Sequence, residues 1–222
     1  MDMLNRAILF LLALAALSTT QAQNRRGIKM AAGVGHINNY VYPGDGEFRT
    51  QPALAGQLGL FQEWNATDRL VLGAELLGSY VRGKDIYRQR YPYPSFPPTA
   101  SVWYNDRETK DVFYLSVPLW IGWQVNRWTF NVGGQASLFL GGVRNQDPGL
   151  ESIHHVSNWQ EGRVQNARVV EVGPRAAMIC NLNAKWALEA SYYHGATNAF
   201  FTAYDVRTNI RHGLVGVRWA MN

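Results

Sequence analysis

Val112-Phe-Tyr-Leu-Ser-Val-Pro-Leu-Trp-Ile-Gly-Trp-Gln-Val125 is the stretch that decides the fold. Phe113, Leu115, Val117, Leu119, Ile121 and Trp123 fall on one parity. Tyr114, Ser116, Pro118, Trp120, Gly122 and Gln124 fall on the other. Strict alternation is the period of a β-strand, because successive side chains leave opposite faces. The segment is also longer than the five or six residues usual in soluble sheets, and long enough for a tilted bilayer crossing.

The same zigzag recurs in both directions along the chain, eight times in all. Upstream, Ile28, Met30, Ala32 and Val34 share one face over 27–36. Leu54, Leu58 and Leu60 do so over 53–64, and Leu70, Leu72, Ala74, Leu76 and Tyr80 over 69–82. Downstream, the repeats occupy 128–144, 168–182, 185–195 and 208–221. The connections alternate in length. Residues 65–68, 126–127 and 183–184 are tight turns, whereas 37–52, 83–111, 145–167 and 196–207 are long. This predicts an all-β, eight-stranded antiparallel up-and-down transmembrane β-barrel with short periplasmic turns and long extracellular loops.

Five of the eight tryptophans, Trp64, Trp123, Trp128, Trp186 and Trp219, lie beside the tight turns or the chain end, each on the apolar parity. Indole rings favour the boundary between headgroups and hydrocarbon, so these five form the expected interfacial girdle. The opposite parity carries Lys29, Glu63, Glu75, Glu171, Arg175, Glu189 and Arg218 among Gly, Ser, Ala and Gln. In a soluble barrel the charged parity would face out. In a membrane barrel it fills the lumen, and an eight-stranded lumen holds only side chains. Acids and bases enclosed there must pair. The expectation is a polar network in which Glu75, Glu171 and Glu189 face Arg175, Arg218 and Lys29.

Composition sets further bounds. Arg6, the apolar run Ala7–Leu17 and Thr20-Gln21-Ala22 read as a cleaved signal peptide over 1–22, leaving one barrel domain over 23–222. An apolar core of 11 residues is too short for a spanning helix. The single Cys180 allows no internal disulfide. The net charge is +5, with Arg82, Lys84, Arg88, Arg90, Arg107 and Lys110 gathered around one long loop, diluted by Asp85, Asp106, Glu108 and Asp111. Such a surface is either an ordinary solvated loop or one that attracts anionic lipopolysaccharide or another acidic partner. No basic stripe interleaved with aromatics points to nucleic acid. The run Tyr91-Pro-Tyr-Pro-Ser-Phe-Pro-Pro98 suits either an extended recognition surface or a guard against edge pairing.

Three smaller motifs carry little chemistry. Adjacent side chains of His154-His155 diverge on an extended chain, and nothing nearby completes a metal set. Asn65-Ala-Thr67 fits a glycosylation pattern at a turn expected inside the cell envelope. His194-Gly-Ala-Thr-Asn198 resembles the His-x-Ser-Asn motif of outer-membrane lipid A deacylases. However, Ala196 stands where the attacking serine belongs, and Thr197 points to the other face. No catalytic residue, cofactor or metal is expected.

The chain resembles the PorT-like outer-membrane β-barrel family in three segments. Tyr114-Leu-Ser-Val-Pro-Leu-Trp-Ile-Gly122 resembles its fourth strand and Phe130-Asn-Val-Gly-Gly-Gln-Ala136 its Gly-rich fifth. Leu188-Glu-Ala-Ser-Tyr-Tyr-His-Gly-Ala-Thr-Asn198 resembles its seventh. The resemblance implies an eight-stranded barrel, with some members tied to protein secretion or gliding machinery. The ending Trp219-Ala-Met-Asn222 departs from the terminal aromatic common among barrels. The leading functional reading is a non-enzymatic outer-membrane barrel that presents external loops to a protein partner or serves as an accessory subunit. Alternatives are a small porin-like channel, a lipid A-modifying enzyme and a secreted soluble barrel.

Overall fold

The computed structural model describes residues 24–39, 46–92, 101–150, 160–163, 169–197 and 208–221. The expected leader and His154-His155 lie outside them. Among the described residues there are ten antiparallel strands: β1 (Arg25–Asn39), β2 (Gly46–Gln51), β3 (Ala53–Asn65), β4 (Leu70–Pro92), β5 (Ser101–Val125), β6 (Trp128–Leu150), β7 (Gln160–Arg163), β8 (Val170–Asn181), β9 (Trp186–His194) and β10 (Thr208–Ala220). They make eight staves. β2 and β3 both pair with β4 and are separated only by Pro52, which has no N–H to give a ladder. β7 and β8 likewise share β6.

The sheet closes on itself. β1 pairs with β10, and β4 pairs with β5, so each stave has two neighbours. A circuit of register partners runs from Asn181 through Ala187, Arg218, Lys29, Gly59, Leu77, Ser116 and Ser137 and returns to β8 at Glu171. The stagger is therefore ten residues along β8, which with eight staves tilts the strands by about 40°. At that tilt ten residues climb about 25 Å, the height of an outer-membrane apolar band.

Alternation becomes inside and outside on this cylinder. Met30 is 63% exposed, Leu58 59% and Val132 61%, whereas Lys29 is 0% exposed and Arg218 2%. The aliphatic parity is the outer surface on every stave. A continuous apolar belt around a closed wall has no place in water, so the barrel sits in a bilayer. Trp123, Trp128, Trp186 and Trp219 are exposed at the tight-turn rim, and Trp64 is half-buried on the same parity. Trp186 and Trp219 are register partners with ring centroids 6.3 Å apart.

The tight turns follow from local chemistry. Asn126 takes φ of 54° in the two-residue turn between β5 and β6, a left-handed conformation that Asn tolerates. Thr67 Oγ1 accepts from the N–H groups of Arg69 and Leu70, and Asn183 Oδ1 from those of Lys185 and Trp186. The motif Asn65-Ala-Thr67 thus builds a turn.

The opposite end departs from expectation. Residues 83–111 are not one long loop: β4 continues to Pro92 and β5 begins at Ser101, in register throughout. Similarly, β6 runs to Leu150, and β2 and β7 occupy parts of 37–52 and 145–167. Beyond the hydrocarbon the outer face no longer meets lipid, so the apolar alternation stops while backbone pairing goes on.

Variants retaining a single tryptophan check this placement. Trp186 alone should be quenched strongly by lipids brominated near the headgroup. Trp120 alone, whose side chain points inward, should be shielded at every bromine depth. Equal quenching of the two would contradict the assignment of faces.

Candidate functional site

The lumen is filled in layers. Nearest the tight turns is an ionic cluster of Lys29, Arg175 and Arg218 with Glu63, Glu75 and Glu189, three cations against three carboxylates. Lys29 and Arg218 are direct partners across β1 and β10. Two like charges side by side would repel, and the acids on either side resolve this. Lys29 Nζ donates to Glu75 Oε2 at 3.0 Å and to Glu189 Oε1 at 2.5 Å. Arg218 lies 3.2 Å from Glu189, 3.2 Å from Glu63 and 3.5 Å from Glu75. Arg175 lies 2.6 Å from Glu189 and 3.3 Å from Glu75. Glycine makes the reach possible: the β3 partner of Lys29 is Gly59, so no side chain there stands between Lys29 on β1 and Glu75 on β4.

Aromatic rings complete this layer. Trp120 Nε1 donates to Glu75 Oε1 at 3.2 Å. The Arg218 guanidinium stands 4.1 Å from the Phe61 ring centroid and 5.7 Å from that of Trp120. Trp120 lies flat over Gly73, where a Cβ would come within 2.1 Å of the indole. A residue with any side chain at position 73 would displace the ring from Glu75.

Above the charges is a hydroxyl and amide layer. Gln57 Nε2 donates to Ser79 Oγ at 3.1 Å, Ser79 Oγ to Ser116 Oγ at 2.9 Å, and Ser116 and Ser137 share a hydrogen bond of 2.9 Å. Gln135 Nε2 donates to Ser137 Oγ at 3.1 Å, so the chain crosses four adjacent staves. The top layer is apolar: Ile37, Val81, Val112, Tyr114 and Ile210 pack together, with Phe139 against them.

Five of the six residues expected in the network, Lys29, Glu75, Arg175, Glu189 and Arg218, come together. Glu171 does not. It lies at the far end of the circuit and accepts the Ile210 N–H at 3.4 Å, with Gly195 close against its Oε1. Glu63 takes part in the cluster instead, through Arg218 and through Arg25 at 3.9 Å. Sequence alone placed Glu63 on the inward parity without its partner. Depth in the barrel is the deciding quantity, and it depends on register.

Among the residues considered for ester hydrolysis, His194 ends β9 and Ala196 is exposed. Thr197 Oγ1 accepts the Val172 N–H at 3.0 Å, a backbone-capping role. Asn198 lies outside the described residues.

Asp85 and Asp111 stand above the apolar band on the extended arms. Asp85 faces inward 3.4 Å from Lys110. Its burial raises the carboxyl above its ordinary value, against the opposing pull of Lys110. Asp111 faces outward, where Arg82 grips both carboxylate oxygens, at 2.7 and 3.0 Å, and Tyr80 donates to it at 2.6 Å. Burial alone would raise the Asp111 carboxyl, but these donors and the guanidinium charge hold it below its ordinary value.

No protein-family model and no curated protein matches the chain. Among solved structures it is similar to Ail, the attachment invasion locus protein of Yersinia pestis, at 10% identity and a TM-score of 0.42, covering 89% of this chain and 99% of that one. It is also similar to Neisserial surface protein A, at 11% identity and a TM-score of 0.38, covering 87% and 96%. For the outer membrane protein OprG of Pseudomonas aeruginosa the values are 10% and 0.36, covering 90% and 94%. By its closed antiparallel wall and lipid-facing belt, the chain is an outer-membrane β-barrel protein.

Removing one member of the ionic cluster leaves buried charge uncompensated, at a cost of about 3–5 kcal/mol. Arg218→Ala and Arg175→Ala should each lower the free energy of urea unfolding in detergent by that amount, and the midpoint with it, followed by the heat-dependent gel shift of folded barrels. Glu171→Gln should leave the cluster intact and change the midpoint far less. A reversed order would show that the cluster does not hold the barrel together.

Proposed function

We propose that this protein is a non-enzymatic, closed outer-membrane barrel that binds a partner, or serves as an accessory subunit of an envelope complex, through the arms and loops at its long-connection end. The observation that carries this reading is the filled lumen. Buried, mutually paired charges, a serine and glutamine layer and an apolar cap lie in series along the axis. An eight-stranded wall leaves no room beside them for a water column. The strands, in contrast, run well beyond the band they need to cross. β4, β5 and β6 are 23, 25 and 23 residues long, against about ten for the membrane itself. Length that the bilayer does not require is surface offered to something outside.

The resemblance to PorT-like barrels favours an envelope complex engaged in secretion as the setting. A small pore is the second reading and a lipid A-modifying enzyme the third. For the enzyme, Ala196 supplies no nucleophile and Thr197 Oγ1 is engaged with backbone.

Two measurements separate these readings. In planar bilayers the wild type should give no steady conductance, and a continuous open level would favour the pore. Cross-linking in intact cells, followed by purification from detergent-solubilised membranes, should capture a defined envelope protein through the arms. Capture should weaken when residues 87–106 are shortened to a tight hairpin. Release of acyl chains from lipid A by the purified barrel, lost on His194→Ala, would instead establish the enzyme.

A further inference from the structure

Directly above the lipid belt, one sector of the outer wall changes from apolar to basic in orderly rows. On β4 and β5 the outward register pairs, rising from the belt, are Tyr80 with Phe113, Arg82 with Asp111, Lys84 with Thr109, and Ile86 with Arg107. β2 extends the upper two rows, setting Gln51 beside Lys84 and Arg49 beside Ile86. The lowest row is aromatic, with the Tyr80 and Phe113 centroids 5.2 Å apart. Arg49, Arg82, Lys84 and Arg107 are all exposed.

We infer that this sector, Tyr80 and Phe113 below with Lys84 and Arg107 above, is a docking site for the phosphorylated, multiply acylated glycolipid of the outer leaflet. The inference rests on the orientation used in the proposed function, with the extended arms outside.

Rows lie about 7 Å apart and neighbouring strands about 4.8 Å. The backbones of Arg49 and Arg107 therefore flank Ile86 at roughly 10 Å, with Lys84 one row beneath. Lys84 and Arg107, one row and one strand apart, form the cationic pair of a rigid sheet that meets the phosphates of one sugar pair, and Arg49, which has an interaction of its own, borders it. Lys84 and Arg107 have no hydrogen bond or ion pair with the described residues. Arg82 is different: Asp111 holds it in a two-pronged pair and neutralises it. Hydroxyl and amide groups of Thr109 and Gln51 sit between the cations as further donors.

The same sheet face continues downward into Leu115 and Leu76, exposed to lipid. Cations alone would suit any polyanion. Cations in register above a continuous acyl-contacting face select an amphiphile with phosphate at the headgroup level, because both halves are then satisfied by one ligand.

The test uses the refolded full barrel in phosphatidylcholine nanodiscs. Bisphosphorylated lipid A, the same lipid stripped of phosphate, and soluble dextran sulfate serve as probes, with bound lipid counted by native mass spectrometry. The wild type should retain bisphosphorylated lipid A. Lys84→Gln with Arg107→Gln should lose roughly tenfold in affinity. Asp111→Asn, which releases Arg82, should gain. Both variants must keep the gel shift of a folded barrel, and Lys185→Gln at the far rim provides a surface-charge control that should change nothing.

Unchanged lipid A retention by the double variant would overturn the inference, as would equal retention of the dephosphorylated lipid. Dextran sulfate binding as tightly as lipid A would assign the patch to a soluble polyanion and overturn it too. Lipid A loss with undiminished partner capture would leave the proposed function standing alone. Lipid A binding with no partner captured would do the reverse.

Discussion

Hydrocarbon offers no hydrogen-bond partner, so every N–H and C=O within the membrane must be satisfied by the protein itself. The β1–β10 ladder that closes the ring meets that requirement, with thirteen register pairs from Gly27↔Ala220 to Asn39↔Thr208. An open sheet would expose two unsatisfied edges to lipid. Once closure is imposed, alternation can mean only inside and outside. The lipid solvates the aliphatic parity, and whatever remains must fill a narrow tube.

What fills it is unusual for a protein interior, yet it follows the same physics. Buried ion pairs are poor sources of stability compared with well-packed apolar groups, because desolvation offsets most of their attraction. The cluster around Glu75 and Glu189 limits that cost by sharing: each carboxylate meets Lys29, Arg175 and Arg218, and Glu75 also accepts from Trp120. Apolar side chains would pack as well but would give both faces of the strand the same character. The two parities would then be interchangeable, and the choice of which one meets lipid would be weakly encoded.

Legibility in the sequence followed the membrane. Wherever a strand has lipid on one side, the contrast between Leu115 and Ser116, or Met30 and Lys29, announces both the strand and its faces. The tryptophans beside Asn126-Arg127 and Asn183 marked the lower boundary for the same reason. Above the belt the signal vanished: Arg82 through Pro92 are paired to β5 as firmly as Leu72 is, but without lipid against the outer face nothing in their polarity requires it. The ionic cluster was half legible. Inward parity is a local property and placed all its members correctly. Which of them meet is a property of stagger, and Glu171, ten residues up β8 from Asn181, lies too high to join, while Glu63 lies low enough. Trp120 and Phe61 were recognisable as inward-facing, but their contacts with Glu75 and Arg218 depend on depth in the same way.

The cluster is also divided across the chain in a way that bears on assembly. The N-terminal staves contribute Lys29, Glu63 and Glu75, and the C-terminal staves Arg175, Glu189 and Arg218. Among these six, the first set carries an excess negative charge, which Arg25 at the rim offsets in part through Glu63, and the second an excess positive one. Four of the seven ion pairs, Lys29–Glu189, Arg175–Glu75, Arg218–Glu63 and Arg218–Glu75, join the two sets. Until the last ladder zips, each half holds an unmatched charge, and a zip one notch out of step would turn Lys29 toward lipid. The barrel therefore carries its own lock and key: the halves attract as they approach, and only the correct alignment lets them mate.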